Sequence, residues 1–250
     1  MLFNCPEPNV SRYFLWRRCV DLPVALCLAV LALPIIALAL LLVRLTSQGP
    51  GIYKQVRLGL DGRPFTMYKI RSMRVDAEAA TGAIWATRND RRITSVGHFL
   101  RKTHLDELPQ LFNVLKGDMV LVGPRPERPE FVTELEKRID GYAYRLYVKP
   151  GLTGLAQLNY GVDIELNDVR KKLVFDFDYI ENCSLGLDMR ILFCTALNVF
   201  FLCTPPVLKF FGIYREAGQS EWAAKLFPTR DAAPKDEDRL SKILAKRATV

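Results

Sequence analysis

The chain has 250 residues, of which half are hydrophobic, and its 35 lysines and arginines against 27 aspartates and glutamates give a formal charge of +8. That length suits one ordinary core plus a membrane element and argues against a second full domain. The positive balance suits anionic partners, but no zinc-ligand spacing or aromatic single-strand platform accompanies it. Nucleic acid is therefore not an expected partner. Two histidines, His98 and His104, show no metal spacing, and six cysteines without a CxxC pair fit a reducing compartment.

Residues 22–43 form an uncharged apolar run of spanning length, too long for a typical signal-peptide core. Pro34 sits near its middle, where it removes a helix hydrogen bond. Arg17 and Arg18 precede the run, Arg44 and Arg57 follow it, and positive residues favour the cytoplasmic side. A straight span and a re-entrant helix broken at Pro34 satisfy these observations equally. Next come two β-prone runs around Asp61-Gly62, which predict a hairpin. Its cations Lys54, Arg57, Lys69 and Arg71 fit either an anionic ligand or a solvated basic face.

Residues 73–92 predict a short helix and then a loop. An amphipathic helix is expected to start between Thr103 and Asp106 and to stop at Gly117, with Leu108, Leu111, Phe112 and Leu115 on one face. Asp106 and Glu107 then fall in its first turn, where free N–H groups favour negative charge. They read either as caps or as a nucleophile beside a Mg²⁺-binding carboxylate. Residues 119–122 are of strand type and lead into Gly123-Pro124-Arg125-Pro126, where two prolines preset Arg125 for a phosphate or merely shape a turn. Lys149 and Thr153, in Lys149-Pro150-Gly151-Leu152-Thr153-Gly154, offer a cation and a hydroxyl to a phosphate without the order of a P-loop. Helical spacing returns at residues 169–182 and 187–201, the second run apolar enough for a membrane surface or a core. From about residue 232 the charged tail reads as a surface helix or disorder.

Taken in order, these motifs resemble the bacterial sugar transferase family, the monotopic phosphoglycosyl transferases that start glycan assembly on polyprenyl phosphate. The resemblance runs from about residue 17 to residue 201. It rests on Arg17-Arg18-Cys19-Val20-Asp21, Tyr53-Lys54-Gln55, Tyr68-Lys69-Ile70-Arg71-Ser72-Met73 and Leu100-Arg101-Lys102-Thr103. It rests further on Leu105-Asp106-Glu107-Leu108-Pro109-Gln110, Gly123-Pro124-Arg125-Pro126 and the Lys149 to Gly154 loop.

The resemblance implies an α+β fold, a small, mostly helical cytosolic domain with a hairpin, joined to a re-entrant helix bent at Pro34 and to interfacial amphipathic helices. It also implies that Asp106 attacks the β-phosphate of a UDP-sugar, expels UMP and passes the phosphosugar to polyprenyl phosphate. Glu107 corresponds to the Mg²⁺ ligand, and Arg101 and Arg125 to phosphate-positioning cations. The setting implied is the cytoplasmic face of a bacterial inner membrane, with residues 1–45 as anchor, 46–205 as catalytic domain and 206–250 as extension. Two departures stand out: Leu33 precedes Pro34 where the family often has a small residue, and Leu155 follows Gly154 where tryptophan is common. Residues 126–131 resemble exopolysaccharide-type members. A non-catalytic membrane scaffold and a Mg²⁺-dependent UDP-sugar hydrolase are the alternatives, and the sequence leaves open the sugar, homo-oligomerisation and contact with downstream glycosyltransferases.

Overall fold

The computed structural model describes residues 7–79, 82, 90–160, 166–214 and 220–226. A short helix α1 (Tyr13–Trp16) leads into α2 (Arg18–Thr46), which is continuous although Pro23 and Pro34 lie inside it. The expected break at Pro34 is thus no end to the helix. Ala25, Ala29, Ala32, Ile36, Ala39 and Val43 keep one buried stripe in phase through the proline, whose own ring is exposed. Packing along that stripe offsets the roughly 3 kcal/mol that an interior proline costs. The other faces expose Leu26, Leu31, Leu38 and Leu41, among others. Among the described residues α2 is the one helix long and apolar enough to cross a membrane.

Both ends of α2 are tied to the same folded body. At its start, buried Arg17 donates to Val122 O (2.8 Å), Tyr179 Oη (3.0 Å), Asp188 Oδ2 (3.0 Å) and Asp21 Oδ2 (3.1 Å). At its end, Arg71 donates to Ser47 O (3.0 Å), to Ser47 Oγ (2.8 Å) and to Gln48 O, satisfying carbonyls at and just past the helix C-terminus.

The expected hairpin is present as antiparallel β1 (Ile52–Leu58) and β2 (Pro64–Ile70), with Ile52 opposite Ile70. Asp61 (φ 55°) and Gly62 (φ 70°) make the turn, in the left-handed region that Asp and Gly tolerate. Beyond it, residues 75–79 form turns rather than the expected helix, and most of residues 80–89 lie outside the described residues. Helix α3 (Ser95–Lys102) follows, capped by Thr94 Oγ1, which accepts the Gly97 N–H at 3.0 Å.

Helix α4 (Gln110–Lys116) ends at Gly117, as expected, with Gly117 in the left-handed conformation. Its buried Asn113 fastens the hairpin, donating to Thr66 O at 2.7 Å and accepting the Tyr68 N–H at 3.1 Å. Strand β3 (Val120–Val122) pairs in parallel with β4 (Gly151–Thr153), so the loop expected at Lys149 to Gly154 is partly strand. The remaining helices are α5 (Pro129–Glu136), α6 (Leu155–Asn159), α7 (Leu166–Asn182), α8 (Leu185–Val199), α9 (Pro205–Phe210) and α10 (Glu221–Leu226).

The architecture is therefore mixed, mostly helical with short strands. The main core joins Ala25 to Ile36 of α2 with Leu111, Leu121, Phe175, Ile191 and Leu208. A second core gathers α5, α7 and α10 around Phe177 and Trp222. The tail beyond residue 226 lies outside the described residues.

Candidate active site

The chain leaves α3 at Lys102, reverses at His104 in the left-handed region (φ 56°) and makes one tight 3₁₀ turn, Leu105–Glu107, before α4 starts at Gln110. Asp106 and Glu107 are thus not in the first turn of α4, as the sequence suggested. The positive φ at His104 breaks the chain from α3, while Leu108 and Pro109, both right-handed helical, carry the 3₁₀ turn on into α4. Asp106 is 6% exposed, caps nothing, and accepts no hydrogen bond from the described residues. Its neighbour takes the cations instead. Glu107 Oε1 accepts from Arg125 Nη2 at 2.6 Å and from Lys69 Nζ at 2.8 Å, while Oε2 has only a long contact, 3.4 Å, with Arg125 Nη1.

Charge and burial separate the two carboxyls. Burial pushes Asp106 above the usual carboxylate range; Lys69 opposes this, the adjacent Glu107 charge adds to it, and Arg101 and Arg125 oppose it more weakly. Burial would raise Glu107 too, but Arg125 and Lys69, by charge and hydrogen bond, hold it well below its ordinary value. Burial pulls the Lys69 ammonium down despite its ion pair. The pair therefore divides into a carboxylate already neutralised and one left without a partner.

Arg125 is held in place by its loop. Gly151 N–H donates to Pro124 O (2.8 Å), Arg145 Nη2 to Arg125 O (2.9 Å) and Arg57 Nη1 to Pro126 O (3.0 Å). Each carbonyl of the Pro124-Arg125-Pro126 turn thus has a donor, and the prolines alone do not explain the rigidity. Arg145 is itself fixed by Asp176 (2.8 Å) and Tyr142 Oη (2.8 Å). Arg101, at the end of α3, donates to Ser72 Oγ at 2.8 Å. Sequence reasoning missed Arg145 and Asp176 because no local motif surrounds them, and it gave Ser72 no role although Ser72 lies within the Tyr68 to Met73 motif.

Five of the expected site residues come together: Asp106, Glu107, Lys69, Arg101 and Arg125. Three stand elsewhere. Arg71 is committed to the end of α2, Lys149 neighbours Arg18 and Asp118, and the buried Thr153 hydroxyl shares a 2.7 Å hydrogen bond with Thr195 of α8.

As a metal site the pair is incomplete, since no group of three or more His, Cys, Asp or Glu that could hold a metal ion occurs among the described residues. Mg²⁺, however, commonly uses one or two carboxylates and takes its other ligands from phosphates and water. Two adjacent carboxylates, with Glu107 Oε2 lightly held, fit such a substrate-completed site.

A family model described as bacterial sugar transferase matches residues 12–202. The chain belongs to this family. It is 45% identical over 203 residues to the UDP-glucose:undecaprenyl-phosphate glucose-1-phosphate transferase of Xanthomonas campestris pv. campestris, covering 79% of this chain and 42% of the relative. It is 43% identical over 187 residues to the UDP-N-acetylgalactosamine-undecaprenyl-phosphate N-acetylgalactosaminephosphotransferase of Aeromonas hydrophila, covering 75% of this chain and 44% of the relative. It is 40% identical over 195 residues to the undecaprenyl-phosphate galactose phosphotransferase of Salmonella typhimurium, covering 72% and 39%. This bacterial sugar transferase thus spans less than half the length of these relatives, and the match to the family contains every residue of the Asp106 site.

Proposed function

We propose that this bacterial sugar transferase moves a sugar-1-phosphate from a UDP-sugar to a polyprenyl phosphate, undecaprenyl phosphate in bacteria, at the cytoplasmic face of the inner membrane. The observation that carries this reading is the buried, unpartnered Asp106 carboxylate beside a Glu107 whose charge two cations have taken up. A carboxylate free of hydrogen bonds keeps its lone pairs for attack. In the first step an Asp106 oxygen bonds to the β-phosphorus, the bond from that phosphorus to the bridging oxygen breaks, and UMP departs with the electron pair. In the second step a phosphate oxygen of the lipid attacks the same phosphorus and the aspartyl oxygen leaves, which gives the lipid diphosphate sugar and restores Asp106.

Charge explains the surroundings. A diphosphate repels an incoming carboxylate unless its oxygens are neutralised. Arg125, Lys69 and Arg101 lie around the pair for that purpose. Mg²⁺, held by Glu107 and the donor phosphates, would supply further neutralisation. Membrane placement serves the acceptor, whose phosphate lies at the interface. Relatives named for glucose, galactose and N-acetylgalactosamine leave the sugar of this chain unassigned.

The test is UMP release by purified protein in lipid nanodiscs with Mg²⁺, undecaprenyl phosphate and a panel of UDP-sugars. Release dependent on the lipid is expected, and Asp106→Asn should abolish it while the far-UV spectrum stays unchanged. Turnover that survives in Asp106→Asn would overturn the nucleophile. Release that ignores the lipid would favour a hydrolase, and no release from intact protein with any donor a scaffold.

A further inference from the structure

Three consecutive apolar residues, Phe200, Phe201 and Leu202, are each more than half exposed just past the end of α8. An exposed apolar run of this kind marks a contact surface. The backbone there is a closed turn. Phe201 N–H donates to Asn198 O at 2.9 Å and Leu202 N–H to Leu197 O at 2.9 Å, the pair of bonds that ends a helix around a left-handed residue. Glycine ordinarily fills that position, because a side chain there is strained. Here it is Phe201, at φ 59°. Core packing does not offset the strain, since the residue is exposed. The turn therefore sets an aromatic ring at one place on the surface at a cost in stability, as strained contacts to ligands do.

The neighbour of that ring identifies the ligand. Lys102 Nζ lies 5.1 Å from the centre of the Phe201 ring, and the exposed ammonium has no carboxylate partner among the described residues. Lys102 stands four residues before Asp106, a span of at most about 14 Å, and it follows Arg101, one of the cations that act on that carboxyl. The aromatic turn thus adjoins the segment that carries the carboxylate pair. A ligand that meets both must be anionic at one end and apolar along the rest. Of the two substrates in the proposed transfer, the nucleotide sugar is polar throughout, and only the polyprenyl phosphate has this form. Ordinary membrane lipid can be met by any apolar side chain in an unstrained turn. An aromatic ring held in a glycine conformation beside a cation suits one particular hydrocarbon instead.

We infer that Phe200, Phe201 and Leu202 bind the prenyl units nearest the phosphate of the lipid acceptor, with Lys102 at the phosphate end, so that this phosphate is delivered to Asp106. The inference rests on the proposed transfer reaction. It is tested by photolabelling the full chain in nanodiscs with a polyprenyl phosphate that carries a benzophenone close to its phosphate, followed by mass spectrometry of the labelled peptides. Label is expected on residues 200–202, displaced by undecaprenyl phosphate but not by the same amount of phosphatidylglycerol.

Phe201→Gly relieves the strain and removes the ring, so it should keep the wild-type melting temperature and still sediment with phosphatidylglycerol vesicles. It should raise about tenfold the undecaprenyl phosphate needed for half-displacement, the lower part of what burying such a ring is worth. Phe200→Ser, which leaves the left-handed position alone, should act in the same direction. Label elsewhere, equal displacement by phosphatidylglycerol, or unchanged displacement in both variants would overturn the acceptor site. Loss of vesicle sedimentation in Phe201→Gly would also overturn it, by making the turn a general membrane contact. UMP release, measured alongside, keeps the two readings apart. Displaceable label without UMP release sinks the transfer reaction and leaves the lipid site standing, and lipid-dependent UMP release with label elsewhere does the reverse.

Discussion

At the scale of single residues the site depends on two adjacent carboxyls being driven in opposite directions. Folding raises the Asp106 pKa, so the folded chain binds that proton more tightly than the unfolded chain. Asp106 therefore destabilises the fold above its folded pKa and has no such effect below its unfolded value. Asp106→Asn should melt above wild type at neutral pH, the gap closing as pH falls through that raised window. Equal melting temperatures at neutral pH would contradict the burial argument. For Glu107 the sign reverses, because its folded pKa is depressed; its stabilisation is present above the unfolded value and is lost as pH falls through the folded one. Glu107→Gln should destabilise the fold at neutral pH by roughly 2 kcal/mol in denaturant titrations, a figure kept low because the Arg125 side chain is 39% exposed. The Asp-Glu pair was legible in the sequence. The geometry around it was not, because the cap reading assumed an α-helical first turn where the chain instead makes a 3₁₀ turn at Leu105–Glu107, and because Arg145 meets Asp176 only through the tertiary fold.

At the scale of elements, close backbone approaches decide how the site is assembled. A Cβ added to Gly97 of α3 would lie 1.9 Å from Ser72 O, the carbonyl that also accepts the Thr94 N–H at 3.0 Å. Backbone cannot yield as a flexible side chain does. Gly97→Ala should therefore push α3 off the end of β2, separate Arg101 from Ser72 Oγ, destabilise the fold by about 1–3 kcal/mol and lower UMP release. Unchanged stability and turnover would show that the helix can slide without loss. The hairpin was readable from its Asp-Gly turn and alternating strands. Strand β4 was not, because Gly151-Leu152-Thr153 has loop composition and acquires strand geometry only by lying against β3. There a Cβ on Gly151 would meet Gly123 N at 2.1 Å, so the small residues that obscured the strand are what its pairing requires.

At the scale of the whole molecule, the proposed reaction raises the question of how a helix of spanning length would serve a site on one side of a membrane. The apolar run was plain in the sequence; its relation to the domain was not, because one chain does not reveal which face of a helix is buried. The stripe from Ala25 to Val43 is buried in the body of the protein, and at about 1.5 Å per residue it covers roughly 27 Å, close to the thickness of a hydrocarbon core. A perpendicular span would draw the packed elements into lipid together with Arg17, Asp188 and Arg71, and insertion of such charges costs about 2.5–3.5 kcal/mol each even on lenient scales. A shallow or interfacial position avoids this, leaving Leu31 and Leu38 toward acyl chains while both ends stay at one surface. Phe200, Phe201, Leu202 and Phe210, all more than half exposed, supply a second apolar patch, and Lys102 stacks on Phe201 at 5.1 Å, joining the end of α3 to it. Epitopes placed ahead of Tyr13 and in the Asp61-Gly62 turn should both be reached by antibody in inverted inner-membrane vesicles and neither in intact spheroplasts. One epitope exposed on each side would mean that α2 spans, that the packing along its stripe does not survive in the bilayer, and that the carboxylate pair would meet the proposed lipid acceptor in some other geometry.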